Sequence, residues 1–340
     1  MHAKTSTSLN SALADRFASA LGQFISPDQP FALLDFPDYS NIGDSAIYAG
    51  QIAFFDRHVG RPASYVCSIN TYRRDIADFC PEGPLFLTGG GNFGSIWQKH
   101  QRFRHDVISH YKNRRIVQMA QSVHFTSGAD SVLEESKRLI GEHPDFIMLV
   151  RDKPSYDFMS AEFDCTVLMC PDAAHCLLSL PSIGQPRHEV LSVLRDDKET
   201  AGGTYADFLR PLGPIIDWGK QPFARSATDR VVETFLQPRF PGSFALMQRR
   251  ERMYRRQADY RIRCGTRLLS KGKLIVSDRL HAHLIASLMQ KPHICLDNSY
   301  GKIGRYISAW GADDRTVQTG SPEELAAALK TRGIPAGLSA

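Results

Sequence analysis

The chain has 340 residues, 42% hydrophobic and 23% charged, with a formal net charge of +5 from 41 basic and 36 acidic side chains. That length accommodates one large domain or two ordinary ones around a sizeable core, and the composition excludes a disordered tail, a collagen-like chain and a disulfide-dense miniature. No run of about 18 apolar residues is present, which excludes a bilayer-spanning helix.

Short apolar runs alternate with helical patterns along the chain. An opening stripe of Leu9, Leu13, Phe17 and Leu21, spaced four apart, predicts a helix packed on the core. The first residues lack a charged start followed by a long apolar run, so no secretory signal is expected. Residues 31–36, 63–68, 84–88, 115–120 and 145–152 read as buried strands, with helices near 44–58, 95–111 and 129–141. A Pro/Ser/Gly-rich segment, 178–189, separates them from a second series of strands at 188–196, 213–218, 273–278 and 293–297. Helical stretches at 227–236 and 242–270 interrupt that series. The alternation predicts an α/β protein of two parallel-sheet domains, 1–180 and 181–340, facing each other across a cleft. Ligands of such sheets bind where strands end at their carboxyl termini.

Charge and cysteines narrow the class. Between Met247 and Lys273 the chain carries ten basic residues and two acidic ones, a net +8, so the remainder sums to −3. A basic helical stretch of this kind reads as a solvated face or as a contact with an anionic membrane surface. No nucleic-acid module accompanies it, so no nucleic-acid partner is expected. Seven scattered cysteines without a CxxC pair predict no zinc site, and several lie in apolar runs, as buried thiols of a reducing, cytoplasmic protein do.

Five motifs fall at strand ends. Asp38–Ile47 places Asn41, Gly43 and Asp44 in a turn opening a helix, with Asp44 as a candidate cap. In Leu87–Ser95, Gly89, Gly90, Gly91 and Asn92 let backbone amides approach a ligand, although the pattern is neither GxGxxG nor a P-loop. Arg151 and Asp152 follow a strand, and Pro154 opens a helix. Pro171–Asp172 and Arg195 end two further strands. In Leu274–Tyr306, Asp278 is a candidate N-cap, with Arg279 and His281 in the first helical turn. Cations are disfavoured at that end of the helix dipole, so their presence points to an anion site. Asn298, Tyr300 and Lys302 follow the next strand and are expected to border the same pocket.

In order and spacing these motifs resemble the polysaccharide pyruvyl transferase family. The resemblance rests on Asn41–Asp44, Gly89–Asn92, Gln121–Phe125, Arg151–Asp152, Pro171–Asp172, Arg195, Asp278–Ala286 and Asp297–Tyr306, and it runs from about residue 30 to 310. The basic insertion and the N-terminal helix lie outside the shared pattern. Ser95 stands where the family often carries an acidic residue, so no catalytic acid is assigned there. The resemblance implies a GT-B-like pair of Rossmann-like domains. It also implies transfer of pyruvate from phosphoenolpyruvate to sugar hydroxyls as a cyclic ketal, on a polysaccharide repeat that is expected to be lipid-linked. Arg279, Leu280 and His281, with Arg195, would hold phosphoenolpyruvate on the 181–340 side. Asn41, Gly43, Asp44 and the Gly89–Asn92 loop would face the sugar on the 1–180 side.

The chemistry agrees with that expectation. Phosphoenolpyruvate carries about three negative charges, which call for arginine forks and amide donors more than for a metal or cofactor. His281 is the candidate proton donor or stabiliser of the leaving phosphate, and Asp44 the candidate base. A nucleotide-sugar GT-B glycosyltransferase and a non-catalytic glycan-binding protein are the rival readings. A lipid-linked acceptor would give the basic stretch a use at the inner face of the plasma membrane.

Overall fold

The computed structural model describes residues 4–195, 203–220, 231, 239–240, 242–297 and 301–334. Among them the helices are α1 (Lys4–Gly22), α2 (Ile42–His58), α3 (Ile76–Phe79), α4 (Gln98–His110), α5 (Asp130–Gly141), α6 (Lys153–Glu162), α7 (Gly203–Leu209), α8 (Phe244–Leu269), α9 (Leu280–Leu288), α10 (Lys302–Trp310) and α11 (Pro322–Lys330). The first sheet holds β1 (Ala32–Leu34), β2 (Tyr65–Cys67), β3 (Leu85–Leu87), β4 (Gly90–Gly94), β5 (Ile116–His124), β6 (Phe146–Val150) and β7 (Thr166–Met169). The second holds β8 (His188–Val193), β9 (Ile215–Ile216), β10 (Gly272–Ser277), β11 (His293–Leu296) and β12 (Thr316–Thr319). The two sheets fall on either side of the Pro/Ser/Gly-rich segment, in the two-domain, GT-B-like α/β arrangement.

Every strand pair in both sheets is parallel. Strands such as Ala32–Leu34 and Phe146–Val150 are buried along their whole length, which explains why they read as unbroken apolar runs rather than alternating ones. The strand orders are β2-β1-β3-β5-β6-β7, with β4 on β5, and β12-β11-β10-β8-β9. Each order reverses once, beside β1 and beside β8. A crevice opens at such a reversal, outside the carboxyl ends of the strands. Asp35 follows β1, Gly89 to Gly91 follow β3, Arg195 follows β8, and Asp278 and Arg279 follow β10, so the predicted motifs gather at these two crevices.

The basic stretch forms α8, and its inner face belongs to the core. Tyr254 stacks on Phe36 with centroids 3.9 Å apart and bonds Thr71, while Arg250 donates to the Val66 carbonyl. Arg261, 4% exposed, donates to the Pro37 carbonyl at 2.6 Å. Gly265 meets Ile42 so closely that a Cβ there would lie 2.6 Å from the isoleucine's Cγ2. A helix contributed by the second half therefore braces the Asp38–Ile47 turn of the first. Only the outer stripe, with Arg249, Arg252, Arg256, Arg263 and Arg267, is exposed. Of the helix expected at 227–236, only residue 231 is among the described residues.

Three local expectations change. The glycine run is partly strand, because β4 extends the sheet alongside β5 before α4 begins. Asn41, not Asp44, caps α2: its Oδ1 accepts the Gly43 amide at 2.9 Å. Arg279 occupies the cap position of α9 in extended backbone, and the Asp278 carboxylate instead accepts the Arg195 amide at 2.9 Å. The N-terminal stripe does pack inward, with Leu13, Phe17 and Leu21 buried.

Candidate active site

A cavity of about 920 Å³ lies where the two crevices meet. Its walls include Asn41, Asp44, Gly91, Asn92, Arg195, Arg279, Leu280, His281 and Lys302, all expected from the sequence, together with Arg151. Gly89 and Gly90 do not line it. Gly89 is a packing glycine, since a Cβ there would lie 2.6 Å from the Ala120 carbonyl oxygen. Gly90 has φ +142° and sits against Ile47 and Asp44. Gly43 is likewise absent from the lining but stands directly beneath His281, where a Cβ would come within 2.6 Å of Nδ1. Asn298 and Tyr300 lie outside the described residues.

His281 is held by a buried carboxylate. Asp172 caps a short 3₁₀ turn, Ala173–Leu177, through Oδ1 and the Ala174 amide. Its Oδ2 accepts Arg151 Nη1 at 2.6 Å and lies 3.2 Å from His281 Nε2. Burial alone would raise this carboxyl, but the neighbouring His281 and Arg151 outweigh it and hold Asp172 far below the usual carboxylate range. Arg151 is buried at the end of β6, and its Nε donates to Ser122. The other guanidinium nitrogen, Nη2, stands 3.1 Å from where a Gly91 Cβ would be, so glycine at 91 keeps that approach open.

Behind Asp172 runs a closed hydrogen-bond chain. Its amide donates to Tyr306 Oη, Tyr306 Oη lies 2.9 Å from His175 Nε2, and His175 Nδ1 lies 2.8 Å from Asn10 Oδ1. Helices α1 and α10 thus buttress this wall of the cavity from opposite ends of the sequence. Burial holds His175 down to about 4, against the partly offsetting pull of Asp172.

On the second crevice, Arg279 Nη2 pairs with Asp217 Oδ1 at 2.5 Å. Burial pushes the Asp278 carboxyl up to about 6, although the Arg195 amide and Arg279 pull the other way. On the first crevice, Tyr39 Oη and Asn41 Nδ2 both donate to Asp44 Oδ2 at 2.8 Å. Asn92 is clamped by Gln121 and by the buried Arg104. Sequence reasoning did not single out Asp35, His100, Trp97, Asp217 or Trp218, which also line the cavity. Arg151 and Asp172 stood in recognised motifs without an assigned role.

Among the described residues, His283, His293 and Cys295 are the group whose spacing could suit a metal, all buried behind α9. His293 Nδ1 faces the Lys291 carbonyl, and its Nε2 faces His283 and Thr316, so protein hydrogen bonds occupy its nitrogens. The cavity itself combines several cationic side chains with hydroxyl-binding carboxylates and amides. Such a surface can hold a small polyanion beside a polyol and exchange protons between them.

Comparison with known proteins agrees. The family model described as Polysaccharide pyruvyl transferase matches residues 41–300. A Bacillus subtilis protein named for pyruvyl transfer, EpsO, is 28% identical over 291 residues, covering 81% of this chain and 84% of its own length. Pyruvyl transferase 1 of Schizosaccharomyces pombe is 29% identical over 293 residues, covering 82% and 69% respectively. A solved structure from Klebsiella pneumoniae subsp. pneumoniae shares the fold, with a TM-score of 0.55 at 18% identity over 91% of this chain and 99% of that one.

Proposed function

The chain belongs to the polysaccharide pyruvyl transferase family, and we propose that its donor is phosphoenolpyruvate and its product a cyclic pyruvate ketal on a lipid-linked sugar, with release of phosphate. The observation that carries this reading is the convergence of Arg151, Arg195, Arg279, His281 and Lys302 on one cavity. A carboxylate and a phosphate on one three-carbon acid need that density of fork-shaped and point-charge cations.

In this mechanism Arg279, Arg195 and Lys302 neutralise the donor, and Leu280 packs beside it. His281, steadied by Asp172, gives a proton to C3 of the enol, and the positive charge that develops at C2 is taken up by an acceptor oxygen. The C2–O bond to phosphate then breaks with its electron pair leaving on phosphate, and the second sugar hydroxyl closes the ring. Asp44, Asn41 and the Gly91–Asn92 backbone face the sugar. Residues 1–180 thus form the acceptor side and residues 181–340 most of the donor side, with Arg151 and Asp172 lent across.

Thermal-shift and phosphate-release measurements test the reading together. Phosphoenolpyruvate stabilises the protein while UDP and GDP do not, and phosphate appears only with a glycan acceptor. Stabilisation by a nucleoside diphosphate alone would favour glycosyl transfer instead. Among the described residues no helix is long and apolar enough to cross a membrane. The exposed arginine stripe of α8 is the proposed seat on an anionic leaflet, where a lipid-linked acceptor would be found.

A further inference from the structure

The donor side has its proton source, but the acceptor side needs a destination for the hydroxyl proton. Asp35, the residue after β1, has φ +68°, a left-handed conformation that non-glycine residues rarely adopt. It is 4% exposed, and both it and His100 line the cavity. Its Oδ2 lies 2.9 Å from His100 Nδ1, while its Oδ1 is fully buried and makes no hydrogen bond. A strained backbone beside an unsatisfied buried oxygen is costly, and such costs persist where a site uses them.

The pair is set from three sides. α4 presents His100, and one turn later the buried Arg104 from the same helix grips Asn92 and Gln118. Asn92 Nδ2 lies 3.2 Å from the same ring nitrogen, farther than the carboxylate. Asn92 Nδ2 can only donate, whereas the nearer Asp35 carboxylate accepts; a proton on Nδ1 directed to Asp35 leaves Nε2 with its lone pair, and Nε2 makes no hydrogen bond to a described residue. Trp97, 48% exposed, and Tyr39, 40% exposed, line the same cavity and offer rings on which a pyranose can lie. Asp44 differs from His100 in that two donors already occupy one of its oxygens.

We propose that His100 Nε2 is the base that removes the proton of the first attacking sugar hydroxyl, with Asp35 as its positioning residue. This rests on the pyruvyl-transfer reading for the identity of the reaction. The sugar O–H bond breaks, its electron pair forms the bond to C2 of the donor, and the proton passes to His100. C3 receives its proton from His281, and the second hydroxyl's proton leaves on the phosphate. His100 then discharges to solvent, from which His281 is recharged.

The groups facing His100 are Asp35 just after β1, Tyr39 and Asp44 from the turn and α2, Asn92 from β4, Arg104 on α4, and Lys99 and Arg102 on the same cavity wall. Arg195, Arg279, His281 and Lys302 belong to the same cavity. A base must be deprotonated to act, so kcat/KM for the acceptor should fall on the acid side of its pH profile.

The test compares wild type, H100Q, D35N and D44N. Asn tolerates the left-handed backbone, so D35N keeps the fold. H100Q loses roughly 10²–10⁴-fold in acceptor kcat/KM, keeps the phosphoenolpyruvate thermal shift, and loses the acid limb of the pH profile. D35N lowers kcat while the acceptor KM holds, and ¹⁵N NMR shows the His100 Nδ1–H tautomer in wild type but not in D35N. D44N retains the acid limb. An intact acid limb and turnover in H100Q, or an Nε2-protonated His100 in wild type, overturns the assignment. Wild-type protein that shows the tautomer yet releases no phosphate from phosphoenolpyruvate would overturn the donor reading instead.

Discussion

At the scale of single residues, the position of His281 depends on Asp172 on one side and on Gly43 on the other. Gly43→Ala places a methyl 2.6 Å from the ring's Nδ1, so the imidazole must swing off Asp172. A displacement near 1 Å costs about 10²-fold in rate, and the expected result is a turnover loss of that order with little change in melting temperature. His281→Ala lowers turnover by roughly 10²–10⁴-fold. Asp172→Ala also unfolds the protein more easily, by about 3–5 kcal/mol in urea titration, because it strands the buried Arg151. Asp278 behaves oppositely. Burial raises its carboxyl from 3.8 to about 6, so the native state holds this proton over a range where the unfolded chain has released it. Its contribution therefore declines as pH rises from about 4 to about 6, by up to roughly 3 kcal/mol. Asp278→Asn should be more stable than wild type at pH 7.5 and equal to it near pH 4, as denaturant midpoints will show. A variant less stable at neutral pH would mean that Arg195 and Arg279 depend on the charge. These residues were partly legible in the sequence. His281 and Arg279 stood out because cations at a helix start contradict the dipole. Asp35 and His100 did not: one ends an apolar strand run, the other sits in a charged helix, and 65 residues separate them.

At the scale of elements, strands were the easiest to read, because two-sided burial writes itself as unbroken Val, Ile, Leu and Phe. Helix starts were less so. Asn41 and Asp44 are both good caps, and the choice between them depends on Tyr39, whose hydroxyl draws Asp44 away. α1 read correctly as a core helix, but its second duty was invisible. Asn10, 1% exposed, fastens His175 and, through Tyr306, the amide of Asp172. Asn10→Ala leaves His175 Nδ1 without its partner, which costs about 1–3 kcal/mol. His175 itself gives an acid dependence of the usual sign. It is neutral in the fold and charges readily when unfolded, so stability is full above about 6.5 and declines toward about 4. His175→Gln should flatten that part of the pH–stability curve. An unchanged slope would place the acid-sensitive group elsewhere.

At the scale of the whole molecule, one helix divides its surface between two tasks. The inner face of α8 joins the halves through Tyr254, Arg250, Arg261 and Gly265. Charge alone could not separate that face from the outer one, because arginine serves both: its stem and fork bond backbone carbonyls as readily as they meet anions. The outer arginines recur at helical spacing from Arg249 to Arg267, a ridge on the order of 27 Å long at 1.5 Å per residue. Phe244, 58% exposed, stands at the end of the helix nearest Arg249. A ridge of this length, five arginines with only Asp259 among them, matches a planar array of anionic headgroups better than a single small ligand. Each basic residue near such a surface contributes about 1 kcal/mol. Replacing Arg252, Arg263 and Arg267 together by Gln should therefore weaken binding to phosphatidylserine vesicles by about 10²-fold, with phosphoenolpyruvate stabilisation and melting temperature unchanged. Raising salt from 0.05 to about 0.5 M should release the wild-type protein, as screening shortens the Debye length. Equal binding to neutral and anionic vesicles, or binding indifferent to salt, would mean that the ridge is a solvated face and that the acceptor reaches the cleft without a membrane beneath it.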